Sequence, residues 1–404
     1  MLARLLRMGS LAGALGLSCV VALAACSSTN PSDGSGSTPD GGTGGPGPGS
    51  DSDSGAPADG STSDGSASTP PCDGTETTAV QSAIDAAHPA STHVVAAVKT
   101  PCGLRYFTSG PSKVDAAKLH RFASVSKTYT GAVVLKLVED GLVSLDDPAS
   151  KWLTGIPGGE TIHVRHLLQH MSGLAPTNVN VSAPTTPDKM LSSSFQQGQR
   201  FTAGSKWEYQ NINFVALGVI AEKVTNKTLP NLVRERILMP LGVTATFFEG
   251  GETVAGDIVA AETAAGRPGN YSINASAVWG AGSMVGTPSD AAAWIEAIGN
   301  GQFLDPTVAA EQKVGVDIAT GMKYGLALWD LEPNATFGGG VGYGHYGDLT
   351  SADIFNGNCG YHTAAFYFPE RKTTIVTILD YEPSDANTSR DAFNAVMKTL
   401  FAPK

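Results

Sequence analysis

A serine and a lysine stand three residues apart in the segment FASVSKTYT, residues 122–130. A serine hydroxyl is a weak nucleophile, so it needs a base to take its proton and hydrogen-bond donors to hold the oxyanion that forms. Positions i and i+3 share one face of a helix, which allows Lys127 to reach the hydroxyl of Ser124. The same pattern fits an ordinary helix start, in which Ser124 caps the helix beside a surface lysine. The pair alone leaves both interpretations open.

Two polar motifs farther along the chain decide between these interpretations. FTAGSKWEYQN contains Tyr209-Gln210-Asn211, 85 residues after Ser124, and GYGHYGD contains His345-Tyr346-Gly347, 221 residues after it. In β-lactamases and penicillin-binding proteins, Ser-x-x-Lys occurs together with two companion motifs. The three motifs together favour the catalytic interpretation of Ser124.

The chain around these motifs resembles the serine hydrolases grouped with class C β-lactamases and serine D-alanyl-D-alanine carboxypeptidases. The resemblance covers residues 75–402. Its further landmarks occur in family order: VEDGLVSLDDPASKWL, TIHVRHLLQHMSGL, NINFVALGVIAEKVTN, ILMPLGVTATFF, GAGSMVGTPSDAAAW and YGLALW. It implies a β-lactamase/transpeptidase-like fold, α/β plus all-α, in which helices flank an antiparallel sheet and a helical lobe lies beside it.

The resemblance also implies a role for each residue of the three motifs. Ser124 is the expected nucleophile, Lys127 shares its proton, and Tyr209 acts as base or proton relay. Asn211 is expected to hydrogen-bond the substrate amide and Lys127. His345 stands where many relatives have lysine, and the carboxypeptidases include members with this variant.

Further substrate contacts follow from the same resemblance. The backbone N–H groups of Ser124 and Asp348 are the expected oxyanion donors. Tyr346 and Gly347 complete the third motif beside the substrate. Trp279 is a candidate aromatic wall of the pocket, and a plain core position is its alternative.

The third motif departs from the family pattern at Tyr346. Carboxypeptidases and lactamases usually have Thr or Ser there, whose hydroxyl holds the substrate carboxylate, and the carboxypeptidases add an arginine on the preceding strand. Residues 324–344 contain no Arg or Lys. Because a buried carboxylate without a partner is costly, we expect an ester or a carboxylate-free amide as substrate. The alternatives are a D-alanyl-D-alanine carboxypeptidase or weak β-lactamase acting on cell-wall peptides, and a wall-binding protein with little turnover.

Strand and helix patterns divide residues 72–404 into two lobes. HVVAAVK and GLRYFTSG predict a hairpin, and YGLALWD, GYHTAAFYF and TTIVTILDY predict strands near the end of the chain. The stretch between them is mostly helical by its apolar periodicity. We therefore predict a sheet lobe from residues 72–121 and 281–404 and a helical lobe from residues 122–280, with the site in the cleft between them.

The first 71 residues do not predict a fold. Residues 1–26 place two arginines before an apolar run that ends in LAAC, which is the order of a signal peptide. That ending resembles the lipobox of bacterial lipoproteins, in which the cysteine, here Cys26, carries the lipid; a soluble secreted protein is the alternative. Residues 27–71 contain six Asp and no Lys or Arg, and their Ser/Gly/Pro-rich composition predicts a disordered tether.

These features predict an exported, lipid-anchored protein of the cell envelope, located in the outer membrane or the periplasm. The chain has a net charge of −11, of which −7 belongs to residues 72–404. An acidic domain is a poor electrostatic partner for nucleic acid. The expected partners are therefore a small-molecule ester or amide or a peptidoglycan-type peptide, and the membrane through the lipid anchor. We expect a monomer.

Three cysteines remain in the predicted domain: Cys72, Cys102 and Cys359. A helix over residues 73–88 followed by an antiparallel strand would return the chain to its starting end, because a dozen helical residues and six or seven strand residues both span roughly 18–20 Å. An exported compartment permits a disulfide. We predict a Cys72–Cys102 bond and a free thiol at Cys359.

Four histidines complete the set of candidate residues. His163, His166 and His170 have the spacing of metal ligands on one helical face, but no acidic ligand accompanies them. We therefore expect no metal, and nothing in the sequence implies an organic cofactor. His345 is expected to titrate near neutrality, so activity should fall in acid if its neutral form is needed.

Overall fold

The computed structural model describes residues 74–88, 92–111, 115–180, 183–261, 274–332, 340–349, 360–380 and 390–402. The predicted signal peptide and tether lie outside these residues, and their boundaries stay predictions. Within the described ranges, every helix is too short or too polar to span a membrane.

The described helices are α1 (Gly74–Ala86), α2 (Ser126–Glu139), α3 (Val164–Leu168), α4 (Pro187–Phe195), α5 (Ile212–Thr225), α6 (Leu229–Val233), α7 (Pro288–Gly299), α8 (Pro306–Gln312) and α9 (Asp391–Phe401). The described strands are β1 (Val94–Thr100), β2 (Gly103–Ser109), β3 (His120–Arg121), β4 (Thr246–Phe248), β5 (Met284–Gly286), β6 (Val316–Ala319), β7 (Met322–Tyr324), β8 (Trp329–Leu331), β9 (Gly342–Leu349), β10 (Tyr361–Phe368) and β11 (Thr373–Leu379).

Within the described residues, eight strands form one antiparallel sheet in the order β2-β1-β11-β10-β9-β8-β7-β6. The central strands β10 and β11 are buried at every residue because helices cover both faces of the sheet. Side chains of a strand alternate between the faces. Ile375 and Leu379 accordingly pack in the cluster with α1 and α9, whereas Val376 and Ile378 pack in the large core that includes α2, α5 and α7. The predicted antiparallel sheet flanked by helices is confirmed.

Two strand predictions have different outcomes. The predicted hairpin is confirmed, since β1 pairs with β2 and Thr100 lies opposite Gly103. YGLALWD is wrong as a single strand, because a turn separates β7 from β8. In this turn Gly325 N–H donates to Leu328 O, and Ala327, with φ +61°, donates its N–H to the Leu168 carbonyl at the end of α3.

A small sheet of order β3-β5-β4 fixes the chain just before the predicted nucleophile. The ring Nδ1 of His120 lies 2.9 Å from Asp380 Oδ2, and both side chains are buried. The guanidinium of Arg121 donates two hydrogen bonds to Glu249, at 2.7 and 2.8 Å. These contacts tie β3 to the end of β11 and to the residue after β4, so the segment that leads to Ser124 starts from a fixed point.

The disulfide prediction is tested at one of its two cysteines. Cys102, in the turn between β1 and β2, is disulfide-bonded. Cys72 and Cys359 lie outside the described residues, so the pairing with Cys72 stays a prediction.

Candidate active site

Ser124 lies in a 3₁₀ turn, Ala123–Val125, directly before α2. Lys127 is fully buried on the first turn of this helix, and its Nζ donates to Ser124 Oγ at 2.8 Å and to the Ala281 carbonyl at 2.9 Å. The cap position of α2 is occupied by Val125 and not by Ser124. The interpretation of Ser124 as a helix cap beside a surface lysine is therefore excluded.

Strand β9 passes the 3₁₀ turn at very short range, with a glycine at the point of contact. A Cβ added at Gly347 would clash with the carbonyl oxygen of Phe122 and lie 3.1 Å from the backbone nitrogen of Ser124. On the other side of this contact, Ala123 has φ +50°, which non-glycine residues rarely adopt. The absence of a side chain at Gly347 thus allows the strand that carries Asp348 to approach the backbone N–H of Ser124.

Tyr209 precedes α5 and lies beside the buried lysine. The Nζ atom of Lys127 is 4.8 Å from the centroid of the Tyr209 ring. The Tyr209 ring centroid is in turn 6.4 Å from that of His345. The structure therefore brings Ser124, Lys127, Tyr209 and His345 into one cluster, although they come from three separate segments.

His345 lies on β9 and is 1% exposed. Its Nε2 accepts a hydrogen bond from the hydroxyl of Tyr324 at 3.0 Å, and its Nδ1 contacts the carbonyl oxygen of Tyr346, to which it can only donate. Burial, and then the positive charge of Lys127, lower the pKa of His345 to about 3. The expectation that His345 titrates near neutrality is wrong, because the imidazole is buried and stays neutral at physiological pH.

A cavity of about 270 Å³ opens beside Ser124. Asn211, at the start of α5, and Asp348, on β9, both contribute to its wall, and their contact with a substrate stays a prediction. The rest of the lining is mostly small or apolar, for example Met190 and Val215. Asp348 is the one charged residue among the described lining residues, but its carboxylate contacts His362 and Arg390 on the face of β9 that also carries Tyr346.

Tyr346 lies on the opposite face of the sheet from this cavity. Its ring centroid is 4.7 Å from Phe366 and 6.2 Å from Phe393, in the cluster of the terminal helices. Successive side chains of a strand point to opposite faces, so the orientation of His345 toward Lys127 turns Tyr346 away. In this structure Tyr346 does not line the cavity, contrary to the prediction of a substrate contact.

Trp279 packs within the helical lobe. Its ring centroid is 6.4 Å from that of Phe248, and the ring lies against Gly218 of α5, where a Cβ would be 2.6 Å from it. Its neighbour Val278 lines the cavity and Trp279 does not. The pocket-wall prediction for Trp279 is thus corrected to its alternative, a packing position.

The three histidines with metal-ligand spacing do not share one face. His163 and His166 stack at the start of α3, with centroids 5.2 Å apart. His170 lies beyond the end of the helix, with φ +58°, and is fully buried. Within the described ranges, no group of three or more His, Cys, Asp or Glu side chains is arranged to hold a metal ion.

Residues 92–396 match the profile of the family described as Beta-lactamase. The chain belongs to the β-lactamase family. The match covers three quarters of its residues and includes all three motifs, so the family resemblance read from the sequence is confirmed.

Curated relatives of this β-lactamase-family chain match it over shorter stretches. A putative penicillin-binding protein, PbpX, from Bacillus subtilis (strain 168) is 29% identical over 125 residues, which are 31% of this chain and 32% of the relative. A putative D-alanyl-D-alanine carboxypeptidase from Escherichia coli O157:H7 is 29% identical over 160 residues, 34% of this chain and 36% of the relative. The chain thus spans about a third of the length of these relatives.

Solved structures match the β-lactamase-family chain more completely. The crystal structure of the D-amino acid amidase from Ochrobactrum anthropi SV3 in complex with L-phenylalanine amide has a TM-score of 0.69. The match covers 80% of this chain and 97% of the amidase at 23% identity. This similarity confirms the predicted β-lactamase/transpeptidase-like fold.

One ionic contact of this β-lactamase-family site was missed by the sequence analysis. Arg390, just before α9, places its guanidinium 4.0 Å from the Tyr346 ring centroid and 3.7 Å from Asp348 Oδ2. Asp348 Oδ1 also lies 2.8 Å from His362 Nδ1. Burial raises the pKa of Asp348, but the hydrogen bond and charge of His362 and the charge of Arg390 outweigh it, so the pKa of Asp348 is lowered. Asp348 is therefore an ionised group beside the cationic Arg390 and the ring of His362.

Proposed function

We propose that this chain is an exported, lipid-anchored serine hydrolase that acts through an acyl-Ser124 intermediate on an ester or an amide. The observation that carries the proposal is the hydrogen bond of 2.8 Å between the fully buried Nζ of Lys127 and Ser124 Oγ. A buried amine in contact with a serine hydroxyl is the arrangement that an activated nucleophile needs.

In the proposed reaction, Ser124 Oγ forms a bond to the substrate carbonyl carbon while Lys127 takes the hydroxyl proton. The carbonyl oxygen becomes an oxyanion between the backbone N–H groups of Ser124 and Asp348. Collapse of this intermediate breaks the bond to the leaving alcohol or amine, which receives a proton through Lys127 and Tyr209. Water then attacks the acyl-enzyme by the reverse proton route, and the acid and free Ser124 result.

The charges at the cavity support a substrate without a carboxylate. None of its described lining residues is Lys, Arg or His, so the wall offers a substrate carboxylate no cationic partner. Arg390 is paired with Asp348 and lies against the Tyr346 ring, on the face of β9 away from the cavity. The similar D-amino acid amidase suggests one such substrate class, amino acid amides.

A D-alanyl-D-alanine carboxypeptidase or weak β-lactamase acting on cell-wall peptides is the second candidate. The relative named as a putative D-alanyl-D-alanine carboxypeptidase supports it. A wall-binding protein with little turnover is a further alternative.

Export and anchoring rest on the sequence of residues 1–71, with Cys26 as the site of lipidation. If this is correct, full-length protein will fractionate with membranes, and Cys26→Ser will release it into the soluble fraction. Equal membrane fractions for the two proteins would overturn the anchoring proposal and leave the hydrolase proposal unaffected.

The enzymatic proposal is tested by intact mass of the full chain after mixing with three acyl donors or traps. These are a short-chain aryl ester, a cephalosporin and a fluorophosphonate. We expect a fluorophosphonate adduct and ester turnover, both absent in Ser124→Ala. A stable cephalosporin adduct would favour the second candidate, and no adduct from any compound with a folded sample would leave the wall-binding alternative.

A further inference from the structure

His170 occupies an unusual position next to the proposed catalytic cluster. Its backbone is left-handed, with φ +58°, and its side chain is completely buried. A left-handed conformation is strained for a non-glycine residue, and such residues concentrate at functional sites. The Nε2 atom of His170 is buried and has no hydrogen-bond partner among the described residues. Neither feature is needed for a simple packing role.

The contacts of His170 surround Tyr209. The carbonyl oxygen of His170 accepts the backbone N–H of Glu208 at 2.9 Å, and its ring Nδ1 accepts the backbone N–H of Gln210 at 3.2 Å. These are the two residues that flank Tyr209. The His170 ring also lies against the Tyr209 ring, with a centroid distance of 4.2 Å. One residue therefore holds the peptide on both sides of Tyr209 and supports its ring.

The hydrogen bonds also define the state of the ring. A backbone N–H can only donate, so Nδ1 of His170 must carry a lone pair. The side-chain amide of Asn213 lies 3.1 Å from the same atom, and its Oδ1 accepts from Ser172 Oγ at 2.6 Å, which orients its NH₂ group toward the ring. A neutral imidazole with its proton on Nε2 is the form that satisfies these contacts.

The left-handed backbone explains why the carbonyl and the ring of His170 both reach the segment that carries Tyr209. α3 ends before His170, and the reversal of φ at this residue presents the carbonyl and the ring to the same peptide segment. Tyr209 itself lies outside any described helix or strand, so side-chain and backbone contacts such as these hold its segment in place.

We propose that His170 is a positioning residue that sets the place of Tyr209 relative to Lys127 through its carbonyl oxygen and its Nδ1 atom. The inference rests on the proposed function, in which Tyr209 relays the proton. His170 is not itself a lining residue of the cavity, and it acts through the segment that carries Tyr209.

The first test compares His170→Leu with His170→Asn in the full chain. Asparagine tolerates left-handed φ, and its side-chain oxygen can replace Nδ1 as acceptor. Leucine has a similar volume to histidine and no acceptor. We expect His170→Leu to lower kcat for the aryl ester about 100-fold, as for a displaced catalytic group, with KM changed less than about threefold. His170→Asn should recover kcat to within about tenfold of the natural protein.

The matched control is His163→Asn, the same substitution at a histidine that caps α3 and lies outside the cluster, where asparagine is also a good cap. It should leave kcat unchanged. Unchanged kcat in His170→Leu, or equal losses in His170→Leu and His170→Asn at equal thermal stability, would overturn the positioning role. If the natural protein neither turns over the ester nor reacts with the fluorophosphonate, the proposed function fails instead.

A second measurement observes the His170 ring in the natural protein. Imidazole ¹⁵N spectra of the natural full chain, with His170 assigned by its loss in His170→Asn, should show a neutral ring protonated on Nε2. A ring protonated on Nδ1 could not accept the N–H of Gln210 and would overturn the inference.

Discussion

The hydroxyl of Tyr324 donates a hydrogen bond to Nε2 of His345 at 3.0 Å, and both side chains are buried. Because Nδ1 of the ring donates to the carbonyl of Tyr346, Nε2 of the neutral imidazole is free to accept this hydroxyl hydrogen. His345 stands where many relatives have lysine. Because the His345 ring is neutral, Lys127 has one positive charge fewer near it than it would have with a lysine at position 345.

The lowered pKa of His345, about 3, makes stability depend on pH in a defined window. The unfolded histidine has a pKa near 6.5, so between about pH 3 and 6.5 the unfolded state binds more protons than the folded state. The contribution of neutral His345 is complete above about pH 6.5 and is lost as the pH falls toward 3, up to about 5 kcal/mol. Urea unfolding across this range should show a shallower slope against pH for His345→Asn than for the natural protein.

Two controls complete this prediction. His170 is buried with its pKa lowered well below the usual value, so it contributes a slope of the same sign that remains in His345→Asn. Between pH 5 and 8, kcat of the natural protein should show no decrease that disappears when His345 is replaced. Equal stability slopes in the two proteins would contradict the neutral state of His345.

Much of the candidate site was predictable from residue spacing and family resemblance, because its members are defined by local motifs. The i, i+3 relation placed Lys127 against Ser124, and the resemblance supplied Tyr209 and His345. The position of Tyr346 was also predictable. Side chains alternate along a strand, so Tyr346 must face away from the cavity if His345 faces Lys127. The motif alone does not include this constraint.

Other features depend on tertiary structure that no local pattern records. His170 reaches Tyr209 because its backbone is left-handed, and a histidine gives no indication of positive φ in a sequence. Arg390 meets Asp348 because α9 packs against the sheet near β9, although the two residues are far apart in the chain. The break in YGLALWD depends on the contact of Ala327 with the end of α3.

The two serines of the nucleophile segment should respond differently to removal of their hydroxyl groups. Ser126 Oγ is buried and accepts the backbone N–H of Met284 at 2.9 Å. Ser126→Ala should therefore lower the free energy of unfolding by about 1–3 kcal/mol, because it leaves a buried donor unpaired, and should keep ester turnover. Ser124→Ala should abolish turnover and change stability little. Equal losses of turnover in the two variants would contradict the assignment of Ser124 as the nucleophile.

Gly347 should not tolerate a methyl group. The added Cβ would clash with the Phe122 carbonyl and push β9 away from Ser124 N, which separates the proposed oxyanion donors. We expect Gly347→Ala to reduce kcat about 100-fold or more, in the range measured for loss of an oxyanion donor. Gly321→Ala is a useful comparison. This variant also adds a methyl group to a glycine near the sheet, but the nearest atom to the added Cβ is 4.0 Å away. Because Gly321 has φ +75°, the substitution tests backbone strain without a steric clash. Normal kcat in Gly347→Ala would exclude a catalytic role for this close approach.

The partner of Cys102 can be identified by a mutational cycle. Cys102 is disulfide-bonded, and a bond to Cys72 would close a loop of about 30 residues, worth about 3–4 kcal/mol in the chain-entropy view. Cys72→Ser and Cys102→Ser should each lower the free energy of unfolding by this amount, and the double variant should lose no more than either single one, because all three lack the same bond. Cys359→Ser should have little effect. A loss in Cys359→Ser equal to that in Cys102→Ser, with a Cys102–Cys359 peptide in the unreduced digest, would assign the bond to Cys359 and leave Cys72 as the free thiol.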